Sequence, residues 1–543
     1  MAIYDLNRIQ LDTLLDGGTP LPGLTIPAVG SNVHTEVITA LQQNGIYPPN
    51  NTATIRVETD ASSGPLTVND AGVKLLIESG DGSTTPTTLT QTSTTPLIIA
   101  LGEAPIGLVL TGSDADTVIG GNGGDFIQGN SGNDVIRGGD GGNVLSAGTG
   151  GGNHDIFAGS GADQLFGGTG ADTLHGGAGA SSLTAGSGKN VLLGGTGADS
   201  LFGGGQSELI GGSGTVFLEG GFTSLASDTL IAGSGNETLS VLDGNNRLTA
   251  GAGDDTLFGG AGDDTLYGGS GHSVLVAGSG NNTLYGGTGD DTLFGGGASS
   301  LVGGSGTQLI VGGWTTLSAD TLQAGGGDEI LGVSHGNNLL TAGSGNDTLF
   351  GGDGDDLLMG GSGNSALVGG SGDDTLIGGS GDDTLFGGGH SLMQGGSGTV
   401  LLDGGFNASS HDTLVAGTND ETLAVSRGAN QLFAGSGDDT LFAGSGHDTL
   451  NGGEGNTSFV LKSGTDSVSG GSGDDSVFLT TNHGSDTIDG AGGTNSVTFD
   501  HRTFASATIN TTGATTTITF ANGQDVQVTH VSQLVFTDGT HTI

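Results

Sequence analysis

Leucine recurs every nine residues through most of this chain, between small polar neighbours and after a run of glycines. Consecutive units run Ala250–Phe258 (AGAGDDTLF), Gly259–Tyr267 (GGAGDDTLY), Gly268–Val276 (GGSGHSVLV), Ala277–Tyr285 (AGSGNNTLY) and Gly286–Phe294 (GGTGDDTLF). The second half of a unit predicts a short strand whose leucine points inward. The first half, G-G-x-G-x-D, predicts a tight turn, because positive φ and close backbone approach favour glycine. One such strand cannot bury itself, so successive turns must stack and line their leucines into a continuous ladder.

The period holds from about Gly112 to Thr498 and divides the chain into residues 1–108, 109–498 and 499–543. The first region is glycine-poor. Leu6, Ile9, Leu11, Leu14 and Leu15 predict a short amphipathic segment, and Val33–Gly45 a second helix ending at glycine. Ile55–Glu58 and Val73–Ile77 read as strands, and the Thr-rich Ser83–Pro96 as an exposed linker. The last region alternates instead: Ala507–Asn510, Thr516–Phe520, Val526–Val528 and Gln533–Phe536 predict hairpins, with a turn at Asn522-Gly523.

Composition narrows the class. Glycine supplies 118 of 543 residues and aromatics 4%, without the triplet of collagen. The balance of 9 Lys+Arg against 57 Asp+Glu, net −48, argues against nucleic acid and anionic membranes and suits multivalent cations. Cysteine is absent, which removes disulfides and thiolate metal sites. No apolar run is long enough for a transmembrane helix, so no membrane insertion is expected. Met1–Arg8 lacks a basic segment followed by an apolar one, so export would use a route other than a cleavable N-terminal signal.

These units resemble the nonapeptides of RTX (repeats-in-toxin) proteins, G-G-x-G-x-D-x-U-x, which fold as a parallel β-roll binding Ca²⁺. The resemblance implies an all-β fold: a long parallel β-roll (β-solenoid), with a small N-terminal α+β domain over 1–108 and a C-terminal β cap over 499–543. It implies two nonads per turn and a rod on the order of 100 Å long at ~4.8 Å per turn. Leu534–Thr540 looks like the terminal cap of many RTX proteins. It implies both edge capping and an uncleaved type I secretion signal, with the type I secretion machinery as partner.

In the family a calcium site lies between turns, so carboxylates 18 residues apart should share one face. Asp116 with Asp134, Asp356 with Asp374, and Asp466 with Asp486 (two residues more widely spaced) meet that rule. Asp163, Asp172, Asp199, Asp255, Asp264, Asp291, Asp347, Asp383, Asp439 and Asp448 are candidates with at least one weakened neighbour. Ser181, Ser273, Ser365, Thr457, Asn190 and Asn282 stand where the family has Asp. An Asx-turn, with Asp serving only local hydrogen bonds, is the alternative reading.

A second period of 92 residues overlies the first, in Gly203–Gly205, Gly295–Gly297 and Gly387–Gly389 and in Phe222, Trp314 and Phe406. Each module holds one twelve-residue unit, such as GGFTSLASDTLI, and one octad among nonads. The module contains an even number of units, so these bulges should emerge on one face. They are either local caps or a docking stripe for self-association through Phe222, Trp314 and Phe406.

Catalytic signals are absent. No H-E-x-x-H occurs, the 12 histidines are scattered, and G-x-S-x-G and G-x-G-x-x-G strings carry no information in so much glycine. The expectation is no enzyme but a secreted, calcium-binding structural protein whose rods self-assemble into an extracellular layer, matrix or filament of a Gram-negative bacterium. The alternatives are a calcium-dependent adhesin or ligand-binding surface protein, and an RTX-type hydrolase or epimerase.

Overall fold

The computed structural model describes residues 2–16, 31–44, 46–47, 54–60, 66–68, 74–78, 88–91, 97–102, 108–214, 216–222, 227–306, 308–313, 319–398, 400–481 and 483–543. The chain forms two compact units, Met1–Val274 and Leu275–Ile543. Each is a parallel β-solenoid with two ladders, and the strands alternate between them along the chain.

The strands are mostly three residues long, and only the central side chain is buried. In unit 1, Leu230, Leu248 and Leu266 stack in the first ladder, and Leu239 and Leu257 in the second. In unit 2, Leu331, Leu349, Leu367, Leu385 and Leu402 do the same. All are fully buried, each contributing about 1.5–3 kcal/mol by transfer from water. The core is thus two facing columns of leucine.

The length irregularities leave the strands in register. The octad shortens one step, so that Asn190 pairs with Ser207. The twelve-residue unit lengthens the next, so that Glu208 pairs with Thr229. The twelve-residue units fall between strands, each on the passage from the second ladder to the first: Phe217–Gly220 to Thr229–Ile231, Leu309–Gly312 to Thr321–Gln323, and Leu401–Gly404 to Thr413–Val415. Phe222 and Phe406 are each 44% exposed. Trp314 lies outside the described residues.

The glycine-poor segment joins the same ladders. Strand β1 (Ala2–Asn7) runs antiparallel to β2 (Thr54–Asp60), and β2 pairs in parallel with Leu75–Glu78. The ladders continue without a break past residue 108, where Ile98–Leu101 pairs with Thr117–Ile119 and Leu108–Leu110 with Phe126–Gln128. The expected exposed linker at Ser83–Pro96 is corrected in its middle. Thr88–Gln91 is a strand paired on both sides, with Leu89 fully buried. Its T-L-T core repeats the T-L-x pattern of the nonads, which the Thr-rich composition concealed. Residues 83–87 and 92–96 lie outside the described set.

Helices α1 (Arg8–Leu15) and α2 (Ser31–Gln43) pack Leu11, Leu14, Leu15, Val37 and Leu41 against Val57, Leu75 and Ile77. A capping box of Asn7 and Gln10 starts α1, satisfying donors that a helix end leaves orphaned. Ile9 is 59% exposed, so it belongs to the outer face of α1. No helix among the described residues is long and apolar enough to cross a membrane.

At the C-terminus, Ala507–Thr512, Thr515–Phe520 and Asp525–Thr529 form the expected antiparallel run, turning at Asn522-Gly523 with Gly523 at φ 82°. Asp525–Thr529 continues the first ladder from Thr487–Asp489, and Gln533–Phe536 continues the second from Ser496–Phe499. Phe499 stacks on Phe536 at 4.8 Å and meets Phe520 at 5.4 Å. Aromatic rings here replace the leucine ladder where it ends.

Candidate calcium columns

The sixth residue of a nonad, the fifth of the octad and the ninth of the twelve-residue unit turn inward, so each ladder is accompanied by a column of mostly polar buried side chains. In the first column lie Asp116, Asp134, His154, Asp172, Asn190, Ser207, Asp228, Asn246 and Asp264 of unit 1, all 5% exposed or less. One oxygen of each carboxylate accepts the backbone N–H of the equivalent residue one turn earlier. Asp116 N donates to Asp134 Oδ1 at 2.8 Å, Asp356 N to Asp374 Oδ1 at 3.0 Å, and Asp466 N to Asp486 Oδ1 at 3.0 Å. All three pairs expected from spacing are therefore adjacent rungs. Asp448 extends the last of them, since its N–H donates to Asp466 Oδ1 at 2.9 Å.

The other candidates have mixed neighbours. Asp163 stands between Asn143 and Ser181, and Asp172 between His154 and Asn190. The N–H of Ser181 donates to Asp199, that of Asn246 to Asp264, and that of Ser365 to Asp383. Asp291 is likewise buried, at 2%. Asp255, Asp347 and Asp439 accept from Glu237, Glu329 and Glu421. Those glutamates occupy position six, recur once per module and were not anticipated. Asp125, Asp228, Asp320, Asp412 and Asp475 were also missed, though each is buried in a column. The D of the twelve-residue unit marks Asp228, Asp320 and Asp412, and N-E-T-L, D-E-I-L or D-E-T-L in place of D-D-T-L marks the neighbourhood of the glutamates.

The second carboxylate oxygen makes these columns chemically active. Asp163, Asp172, Asp199, Asp356, Asp374, Asp383, Asp448, Asp466 and Asp475 each bury Oδ2 without a hydrogen-bond partner, as Glu237, Glu329 and Glu421 bury Oε2. An unpartnered buried carboxylate oxygen is costly unless protonated or bound to a cation. Its surroundings are oxygen-rich: a Cβ on Gly351 would stand 2.8 Å from Asp356 Oδ2 and collide with the carbonyl oxygen of Gly369. Only glycine leaves that space for an ion. Among the described residues, no three His, Asp or Glu side chains converge on a point. The carboxylates form lines, so a bound cation must complete its shell with turn carbonyls, as the hard, oxygen-seeking Ca²⁺ does. The residues present fit calcium.

Position five forms a second, exposed column that runs the other way. Asp254 N donates to Asn236 Oδ1, Asp355 N to Asn337 Oδ1, and Asp373 N to Asp355 Oδ1, each at 3.0 Å. Each D-D pair thus staples its turn to one neighbour through the buried Asp and to the other through the exposed one.

Burial pushes the carboxyls upward. Asp356, Asp374, Asp383 and Asp475 rise to about 6 and Asp466 to about 7. Glu237 and Glu329 rise to about 7 and Glu421 to about 8, through burial and then the adjoining Asp255, Asp347 and Asp439. A carboxyl raised in the folded state binds more protons folded than unfolded, so the cation-free fold loses stability as pH rises from about 4 through about 7. In EGTA, therefore, lowering the pH from 7.5 to 5 should restore β-type circular dichroism and give it a measurable thermal midpoint. A midpoint that instead climbs with pH would show that these oxygens are not proton-holding when cation-free.

The family model for the RTX calcium-binding nonapeptide repeat matches residues 110–145, 148–183, 184–215, 231–266, 240–275, 267–302, 335–367, 366–391, 425–459, 451–480 and 461–497, together more than half of the chain. A search of curated proteins returned no match. The leucine ladders, the columns of position-six carboxylates and this match agree, and the chain belongs to the RTX calcium-binding nonapeptide repeat family.

Proposed function

We propose that this chain is a secreted structural protein that folds around calcium outside the cell and self-assembles into an extracellular layer, matrix or filament of a Gram-negative bacterium. The observation that carries the reading is the buried, partnerless carboxylate oxygen repeated along both columns. It makes cation supply a condition of folding, as suits a chain threaded unfolded through a type I secretion channel from a calcium-poor cytosol. Residues 499–543 act as cap and secretion signal, and 1–108 as an assembly or anchoring module. The chain acts as a scaffold and not as a catalyst.

Assembly runs through the bulges, where Phe222 and Phe406 stand exposed at the same place in their modules. Exposed aromatics repeated at a fixed interval favour contact with a partner surface of the same period. Electron microscopy with added Ca²⁺ should show ordered sheets or filaments for the native chain and mainly dispersed particles for Phe222→Ser/Phe406→Ser. Native particles that stay monodisperse would favour a surface adhesin, and unaltered lattices in the variant would reduce the bulges to local caps.

A further inference from the structure

We propose that His390 and His411 form a site for Zn²⁺ or a neighbouring late transition-metal ion, separate from the calcium columns. His390 begins strand His390–Gln394, and His411 ends the bulge that carries Phe406. That bulge folds back on the preceding turn, with Asn407 Nδ2 donating to Gly388 O at 3.1 Å. The two imidazoles then meet edge to face, centroids 5.4 Å apart.

The ring nitrogens converge. His390 Nε2 (2.9 Å) and His411 Nδ1 (2.8 Å) each donate an N–H to the carbonyl oxygen of Ser409, so the two nitrogens point at one place. Neighbouring ligand atoms of a tetrahedral zinc site, with bonds of about 2.0–2.1 Å, stand about 3.3 Å apart. A metal ion that replaces those two protons and displaces the Ser409 carbonyl would therefore meet both imidazole nitrogens, with its remaining positions filled by water. The other nitrogen of His390, Nδ1, lies 3.6 Å from Asp373 Oδ1. A small side-chain movement would bring that carboxylate into the hydrogen bond that orients a metal-bound imidazole through its second nitrogen. Imidazole donors select zinc, copper and nickel over calcium, which takes oxygen.

The two histidines also enter the sequence together. The corresponding positions carry Gln206 and Ser227 in the first module and Ala298 and Ala319 in the second. The bulge architecture therefore does not require imidazole at either place, whereas a two-nitrogen site requires both.

The test uses the full chain saturated with Ca²⁺ and titrated with Zn²⁺ in a calorimeter. The native protein should take up one equivalent that is lost in His390→Gln/His411→Ser, while calcium stoichiometry and circular dichroism stay unchanged. That variant installs the residues of the first module, so its fold should hold. Asp373→Asn should weaken zinc binding about tenfold. With Cu²⁺ as probe, electron paramagnetic resonance should show coupling to two nitrogens, absent from the double variant. No zinc uptake by the native chain, or equal uptake by the double variant, would overturn the assignment.

Discussion

Chelating calcium from this protein at pH 7.5 should abolish most of its β-type circular dichroism, and restoring calcium should bring it back. The chain carries 57 acidic against 9 basic residues, and its buried carboxylates recur on successive turns. Neighbours one turn apart, such as Asp448, Asp466 and Asp486, each use one oxygen for a ladder hydrogen bond. The second oxygens of Asp448 and Asp466 face the interior without a partner. Two unit charges ~5 Å apart repel by about 3 kcal/mol at an effective dielectric of 20. Repetition along two columns exceeds the net stability of a typical domain, about 5–15 kcal/mol. Leucine burial alone is not expected to hold the fold against it. A spectrum unchanged by EGTA would sink the proposal that folding depends on calcium.

Replacing Gly352 with valine should unzip the solenoid locally. Gly352 has φ 82°, a conformation that a β-branched residue adopts only under strain. A Cβ there would stand 2.6 Å from Val333 O and 2.8 Å from Ser334 O. The turn must move, and with it the bonds Ser371 N to Gly352 O (2.7 Å) and Asp353 N to Ser334 O (3.0 Å). Backbone strain contributes about 1–3 kcal/mol, and the lost ladder bonds and displaced rung add to it. Because each turn touches only its neighbours, the damage should stay local. Hydrogen exchange should accelerate over roughly residues 330–375. Phe350→Thr, an outward position two residues away and 43% exposed, serves as control with little change. Equal protection in Gly352→Val and the native chain would contradict the packing described for this turn.

These results separate what local chemistry dictates from what packing dictates. The nonapeptide was legible because one strand, one turn and one inward leucine are local consequences of residue order. The pairs Asp356/Asp374 and Asp466/Asp486 followed from counting residues per turn. Glu237, Glu329 and Glu421 did not, because a search for Asp at position six passes over Glu. Asp228, Asp320 and Asp412 were hidden because three extra residues shift the count without shifting the strand. The strand at Thr88–Gln91 was hidden by its threonines, although its one leucine obeys the same inward rule.

The sequence by itself determined the repeat, the two inward columns and the acidic excess that calls for a cation, since each depends only on spacing and residue type. Only the tertiary structure decided which oxygen of each carboxylate is used and which is left over. That depends on the N–H of the previous turn, contributed by a residue 18 to 21 positions away. It likewise decided that His390 and His411 meet, because the bulge between them must fold back before their nitrogens share one carbonyl.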